Sequence, residues 1–262
     1  VDFNNRFMTG KDGSTYFNNF SGYSPHVHAD YTLEGKTKEE SRDDWIQDFL
    51  DIVKENCNGG GDRAYMEPCF NWFIHLIAHM VQFPSKKLPF MPVFTGPQGS
   101  GKNFTLEVIA LMVGTWNYIS TPDLEKIYGE HADLWVGKLL INLDELDEFG
   151  TRKYQGYIKK DVDNQNKKAV NVKFEKPRLE KNYALNVGTS NKPNPIGVDS
   201  DSGDRRFVYY VPSKKYKQKS GEFWDDMWKK MSEPQAIAAL YDYFTRIDLS
   251  SYDFKKERKK AL

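Results

Sequence analysis

Apolar residues recur at helical spacing early in the chain. Trp45, Phe49, Ile52 and Val53 fall on one face, and Thr37 with Glu40 forms a capping box that would start their helix. A second helix is expected from about Glu67 to Val81, closed by Pro84 and Pro89. Met91 to Thr95 then reads as a buried strand and Phe104 to Val113 as an apolar helix. Lys138 to Glu145 is the next expected strand, followed by a charged stretch to about Lys168. Val170 to Phe174 alternates in strand fashion, and Tyr183 to Thr189 and Arg206 to Val211 complete the strands. Ser232 and Gln235 make a second capping box around Pro234, which predicts a helix over 233–247. Residues 1–36 read as loops and short strands, and Lys255 to Lys260 as a basic tail. Strands separated by helices predict an α/β fold with a mainly parallel sheet. Its parts are the 1–36 leader, a helical region over 37–88, a core over 89–212 and C-terminal helices over 213–262.

The 262 residues allow a sizeable core, and their formal net charge is zero. That balance argues against wrapping nucleic acid over the whole surface, and confines any such contact to a loop or channel. Cys57 and Cys69 form no CxxC pair, which argues against a zinc or disulfide framework and fits a reducing compartment. No apolar run reaches the length of a membrane span and no signal peptide is read, so the expected location is the cytoplasm, with no membrane partner. The chain opens on Val1 in what reads as the middle of something, and a piece of a longer protein is expected.

The chemistry concentrates at Gly96-Pro97-Gln98-Gly99-Ser100-Gly101-Lys102-Asn103. This is a phosphate-binding loop one residue short of the G-x-x-x-x-G-K-[ST] pattern, with the required strand before it and helix after it. Glycines let backbone N–H groups turn inward around a polyphosphate, the helix adds its positive end, and Lys102 would reach the outer phosphates of ATP. Asn103 stands where a Ser or Thr hydroxyl normally ligates Mg²⁺. Its carbonyl oxygen could serve less compactly, or the metal could be left to other groups.

Leu139-Leu140-Ile141-Asn142-Leu143-Asp144-Glu145 is an apolar strand ending in two carboxylates. This is the Walker B arrangement, in which Asp144 would hold Mg²⁺ and Glu145 would take a proton from the attacking water. Further on, Asn191 ends a strand in polar residues, where its side chain could orient that water or touch the γ-phosphate; Ser-Asn-Lys-Pro is also ordinary turn chemistry. Arg205 and Arg206 place two guanidinium groups before a strand. Either could stabilise charge on a transferring phosphoryl group from a neighbouring subunit, and either could equally be a surface ion pair.

In this order, Walker A, Walker B, Thr-Ser-Asn and Arg-Arg-Phe, the chain resembles the superfamily 3 helicases of viruses, phages and mobile elements. It is most similar to the helicase part of phage and large-DNA-virus primase–helicases, including the C-terminal part of phage primase–polymerases. Tyr16 to Tyr23, His79-Met80-Val81-Gln82-Phe83-Pro84 and Gly99 to Asn103 carry that likeness. The resemblance implies an AAA+ P-loop NTPase fold, a homo-oligomeric and usually hexameric ring, and movement along single-stranded DNA in replication. It also implies a primase or polymerase region in the same longer polypeptide. It assigns phosphate to Lys102, metal to Asp144, water activation to Glu145 and γ-phosphate sensing to Asn191, and it favours Arg206 over Arg205 as the finger. It further implies a basic hairpin reaching into the channel, here Val170 to Lys181, with Lys173, Lys176, Arg178 and Lys181 as the DNA-contacting candidates; an ordinary exposed hairpin would read the same.

Other signals were weighed against these. His75 and His79 have the spacing of a metalloprotease helix, but Leu76 stands in place of its Glu. The aromatic run Phe223 to Trp228 could stack bases, although its spacing suits a packed helix. The leading expectation is an ATP-dependent DNA helicase module. Its rival is a nucleotide-binding DNA-binding assembly or scaffold module with little hydrolysis, motivated by Asn103. A P-loop kinase leaves the basic hairpin and the paired arginines unexplained.

Overall fold

The computed structural model describes residues 7–9, 15–17, 20–58, 63–163, 167–171, 176–197 and 204–260. In the leader, β1 (Phe7–Thr9) and β2 (Thr15–Phe17) pair antiparallel. Helix α1 (Lys38–Asn56) starts at the expected capping box, where Thr37 accepts from the Glu40 N–H and Glu40 reaches back. It buries Ile46, Phe49, Ile52 and Val53, while Trp45 lies at the margin and donates its indole N–H to the Tyr31 carbonyl. Helix α2 (Arg63–Gln82) begins earlier than expected and carries Pro68 inside it. Burial of Trp72, Phe73, Leu76 and Ile77 holds the helix across the bond that Pro68 cannot make.

The core follows as β3 (Met91–Thr95), α3 (Lys102–Val113), β4 (Tyr118–Thr121), α4 (Glu125–Tyr128), β5 (Leu140–Leu143), α5 (Glu148–Arg152) and α6 (Gln155–Val162). Next come β6 (Lys167–Val170), β7 (Arg178–Lys181), β8 (Leu185–Ser190) and β9 (Phe207–Tyr210). Helices α7 (Gly221–Ser232), α8 (Pro234–Arg246) and α9 (Phe254–Arg258) close the chain. The central sheet has the order β4-β5-β8-β3-β9, and every neighbouring pair is parallel.

This sheet is covered on both faces, as a parallel sheet with crossover helices requires. On one face Phe94 stacks on Tyr210 and meets Phe73 edge-on, at centroid distances of 5.0 and 5.2 Å, within a core that includes Leu106, Ile109, Leu240 and Phe244. On the other, Val93, Ile141 and Leu143 pack with Ile127, Trp135 and Ile158. Alternation along β3 thus sends Val93 and Phe94 into separate cores.

The expected α/β fold with a parallel sheet is present, with several differences in detail. Strand β3 has the expected bounds, β5 and β9 are shorter at both ends, and β8 starts two residues later and ends one later; β4 was not anticipated, because only Thr121 of its residues is buried. The charged stretch after β5 contains α5 and α6, which bury Thr151, Ile158 and Val162 beneath their charges. Strand β6 ends at Val170, where the expected strand began, and residues 172–175 lie outside the described residues. The Ser232–Gln235 capping box does not form. Ser232 remains the last helical residue of α7, so Glu233 takes the extended cap conformation without a side-chain bond and Pro234 opens α8. The capping serine of this region is Ser220, which accepts from the Phe223 N–H. Among the described residues no helix is long and apolar enough to cross a membrane.

Candidate functional site

Strands β3, β5 and β8 deliver their carboxyl ends to one place, because Thr95 pairs with Ser190 and Leu143 with Gly188. The loop after β3 turns through Gly99 and Gly101, at φ +78° and +89°, a left-handed region that favours glycine. A Cβ at Gly101 would also come within 2.8 Å of the Trp224 indole. Helix α3 then starts at Lys102 with no side-chain cap, which leaves its first N–H groups and its positive end facing the loop.

Gln98 to Phe104, Asp144, Glu145, Ser190, Asn191 and Trp224 line a cavity of about 340 Å³. Ser100 is 2% exposed, and its hydroxyl, although in this lining, has no hydrogen-bond partner. A buried hydroxyl without a partner is costly, and a phosphate oxygen would supply one. Lys102 Nζ donates to the carbonyls of Gly96 and Pro97, both at 2.8 Å, and lies 3.4 Å from Asn191 Oδ1. Burial lowers the pKa of Lys102 against the opposing pull of Asp144, so an incoming anion would favour its charged form.

Asp144 is held from several sides. Its Oδ1 accepts from the Thr189 hydroxyl at 2.5 Å and from the Glu145 N–H at 2.9 Å, and its Oδ2 accepts from Asn103 Nδ2 at 3.1 Å. Only the amide nitrogen can donate to a carboxylate. Asn103 therefore holds Asp144 here, and presenting its carbonyl to a metal would require the amide to turn over. Glu145 is exposed at φ 51°, an unfavourable conformation for a residue with a Cβ. The next residue is anchored, with the Leu146 N–H donating to Thr189 O and Ser190 Oγ donating to Leu146 O.

Sequence reasoning missed Thr189, whose hydroxyl holds Asp144. Glu107 was also missed. It stands one helical turn after Asn103 at the same rim of α3, and burial and the charge of Asp144 raise its pKa. Its helical spacing from Asn103 was the available signal. Thr105 points away, accepting from Asn56 Nδ2 at 2.9 Å in a buried bond that ties α1 to α3.

The two arginines lie at the opposite end of the sheet. Arg206 immediately precedes β9, and its carbonyl accepts from the Met91 N–H at the amino end of β3. Its guanidinium donates to Asp163 at 2.5 Å and to both Asp204 oxygens at 3.2 Å. Arg205 is exposed and makes no hydrogen bond or ion pair with the described residues. Neither is brought to the cavity that holds Lys102 and Asp144.

Strands β6 and β7 form an antiparallel hairpin, with Val170 opposite Arg178 and Lys167 opposite Lys181. Lys176, Arg178 and Lys181 are exposed, and Arg178 donates to Glu180 at 2.8 Å. Lys173 lies outside the described residues. The base of the hairpin meets a buried polar knot around Asp161, which accepts from Asn182 at 2.6 Å and Asn186 at 2.8 Å. Lys87 Nζ stands 3.5 Å from the same carboxylate. Lys168 donates to Ile127 O at 2.9 Å and lies over the rings of Tyr128 and Trp135.

The two histidines pack instead of ligating. His75 stacks on Tyr252 with centroids 3.8 Å apart, and His79 meets Phe254 edge-on; burial lowers the His79 pKa to about 4. Among the described residues no group of three His, Cys, Asp or Glu side chains is arranged for a metal.

The sequence profile of a family of unknown function, DUF5906, matches residues 94–206, from within β3 to Arg206. A comparison with curated proteins finds no match. Among solved structures, the NrS-1 C-terminal region (305–718), without ligand, superposes with a TM-score of 0.68 at 17% identity, covering 100% of this chain and 56% of that one. The A form of that region, also without ligand, gives 0.67 at 17% identity, covering 98% and 54%. The chain thus spans little more than half of those structures. JCV helicase superposes with a TM-score of 0.45 at 11% identity, covering 87% of this chain and 68% of that one. The fold is α/β, with a central sheet of five parallel strands and flanking helices, and it is shared with the NrS-1 C-terminal region.

Proposed function

We propose that this chain binds and hydrolyses ATP with Mg²⁺ as the motor part of a ring that moves along single-stranded DNA during phage, viral or mobile-element replication. The observation that carries the reading is the convergence of Lys102, Asp144, Glu145 and Asn191 on one cavity beside an uncapped helix start. Lys102 leaves the loop carbonyls for the β- and γ-phosphates, and Ser100 gains its missing partner there. Mg²⁺ would offset the phosphate charge, and Asp144 is the residue that would hold it. Glu145 takes the proton of the attacking water, and Asn191 fixes the water against the γ-phosphate.

The charge that develops on the transferring group calls for a guanidinium from elsewhere. Arg205 or Arg206 of a second copy would supply it, which makes each site dependent on a neighbour. A basic hairpin repeated around such a ring would follow the DNA backbone. A primase or polymerase region of the same longer polypeptide is the natural partner of such a module. The test is steady-state ATP hydrolysis by the full chain, with and without single-stranded DNA, with Lys102→Ala as the blank. DNA-stimulated hydrolysis that Lys102→Ala abolishes supports the reading; ATP binding by an assembled oligomer without hydrolysis rejects it.

That second outcome is the scaffold reading, a nucleotide-binding DNA-binding assembly module. The bond from Asn103 to Asp144 favours it, because it occupies an oxygen that would otherwise face the metal.

A further inference from the structure

The cavity has two chemically different ends. Lys102, Asp144, Glu145 and Asn191 make a polar end suited to phosphates, while Phe104 and Trp224 make an aromatic wall. We infer that Trp224 is the platform on which the base of the bound nucleoside triphosphate stacks, an inference that rests on the nucleotide reading above.

The direction follows from the loop. With the outer phosphates drawn to Lys102 and the carboxylates, the nucleoside leaves along the first turn of α3, where Phe104 stands. Phe104 and Trp224 have ring centroids 5.3 Å apart at 57°, so the two rings meet at a tilt. Trp224 is already fixed in place, with Phe223 edge-on at 5.2 Å and Tyr216 at 6.0 Å, and its ring edge lies against Gly101. A rigid aromatic surface binds without paying much ordering entropy.

The indole N–H is compatible with the same placement. Trp45, Trp72, Trp116 and Trp135 each donate to a backbone carbonyl. Trp224 and Trp228 donate to no group among the described residues, and of the two only Trp224 lines the cavity. Trp224 is half-buried, so its N–H is free to donate to a nucleotide oxygen or ring nitrogen in place of solvent. Stacking accepts any base, because every base has a π-face. The site should therefore discriminate weakly among nucleoside triphosphates, with purines favoured by area.

Titration calorimetry with ATP and with inorganic tripolyphosphate tests this on the wild type, Trp224→Ala and Trp224→Phe. Trp224→Ala should weaken ATP binding roughly 5- to 150-fold, leave tripolyphosphate binding unchanged, and be largely rescued by Trp224→Phe. Unchanged ATP affinity, or equal losses for both ligands, overturns the inference, the second by giving Trp224 only a loop-shaping role. If Trp224→Ala does not fold, Trp224→Phe decides: the tryptophan quench caused by ATP must disappear, and a quench that persists overturns the inference. A wild type that binds neither ligand overturns the nucleotide reading itself, whereas binding of tripolyphosphate and ATP with equal affinity overturns only the platform.

Discussion

Arg206 and Asp163 are joined at 2.5 Å across the space between the start of β9 and the end of α6. The same guanidinium also holds Asp204, whose side chain is 7% exposed. Arg206 is thereby committed within its own chain, whereas its neighbour Arg205 makes no such bond among the described residues. Arg206→Ala should destabilise the fold by roughly 1–3 kcal/mol, the scale of hydrogen bonds to charged groups. Arg205→Ala should leave the melting temperature unchanged and abolish hydrolysis, with activity partly restored in rings mixed with Lys102→Ala. The opposite pattern, a stable but inactive Arg206→Ala with an active Arg205→Ala, would return the finger role to Arg206.

Asn103 stands where a hydroxyl is usual, and its amide nitrogen is spent on Asp144. Replacing it by Thr should remove that bond and offer a hydroxyl, so Asn103→Thr should lower the Mg²⁺ concentration for half-maximal hydrolysis. A rise instead would mean that the Asn103 carbonyl is itself a ligand. Initial rates across a Mg²⁺ titration at fixed ATP measure this directly.

Lys168 faces Asp161, Lys87 and the ring of Tyr128, and burial lowers its pKa to about 8. Its unfolded value is higher, so between about pH 8 and 10 the unfolded chain holds a proton that the folded chain has released, and this group makes stability rise with pH there. Asp161 works at the other end. Burial pushes its pKa up, but Lys87, Lys168 and the amides of Asn186 and Asn182 together hold it below the ordinary value, so its contribution is present above the unfolded pKa and is lost in acid as pH falls through the folded one. Lys168→Met should flatten the alkaline rise relative to the wild type in urea melts at pH 7.5, 8.5 and 9.5. Parallel curves for the two proteins would mean that Lys168 does not carry it.

The hairpin should act on DNA without acting on the phosphate cavity. Changing Lys176 and Arg178 together to Ala should weaken single-stranded DNA binding and reduce the salt slope by roughly one to two, with basal hydrolysis intact. Fluorescence anisotropy at several salt concentrations gives the slope. Equal slopes would remove these two residues from the interface.

Much of this was legible in the sequence where one residue type answers one physical need. The loop glycines between a strand and a helix, Lys102 at the helix start and the Asp144–Glu145 pair just past a strand lie where the sequence put them, because each element around them is strongly apolar or strongly punctuated. The Thr37 cap was legible for the same reason. Strand β4 was not, since Tyr118 to Ser120 lack the burial that makes a strand readable. Helices α5 and α6 were hidden because their buried residues are few among charges. Ser232 misled because a cap depends on where the preceding helix stops, which local sequence does not fix. The commitment of Arg206 to Asp163 spans residues far apart in sequence, and no local pattern announces it.

The knot around Asp161 also has a mechanical meaning. Asn182 leaves the hairpin and Asn186 lies in β8, and both hang from one buried carboxylate. From Asn186 to Asn191 the strand runs about 16 Å, straight to the rim of the cavity. A tug on the hairpin would thus load a stiff rod whose far end is Asn191, with Asp161 as its fulcrum.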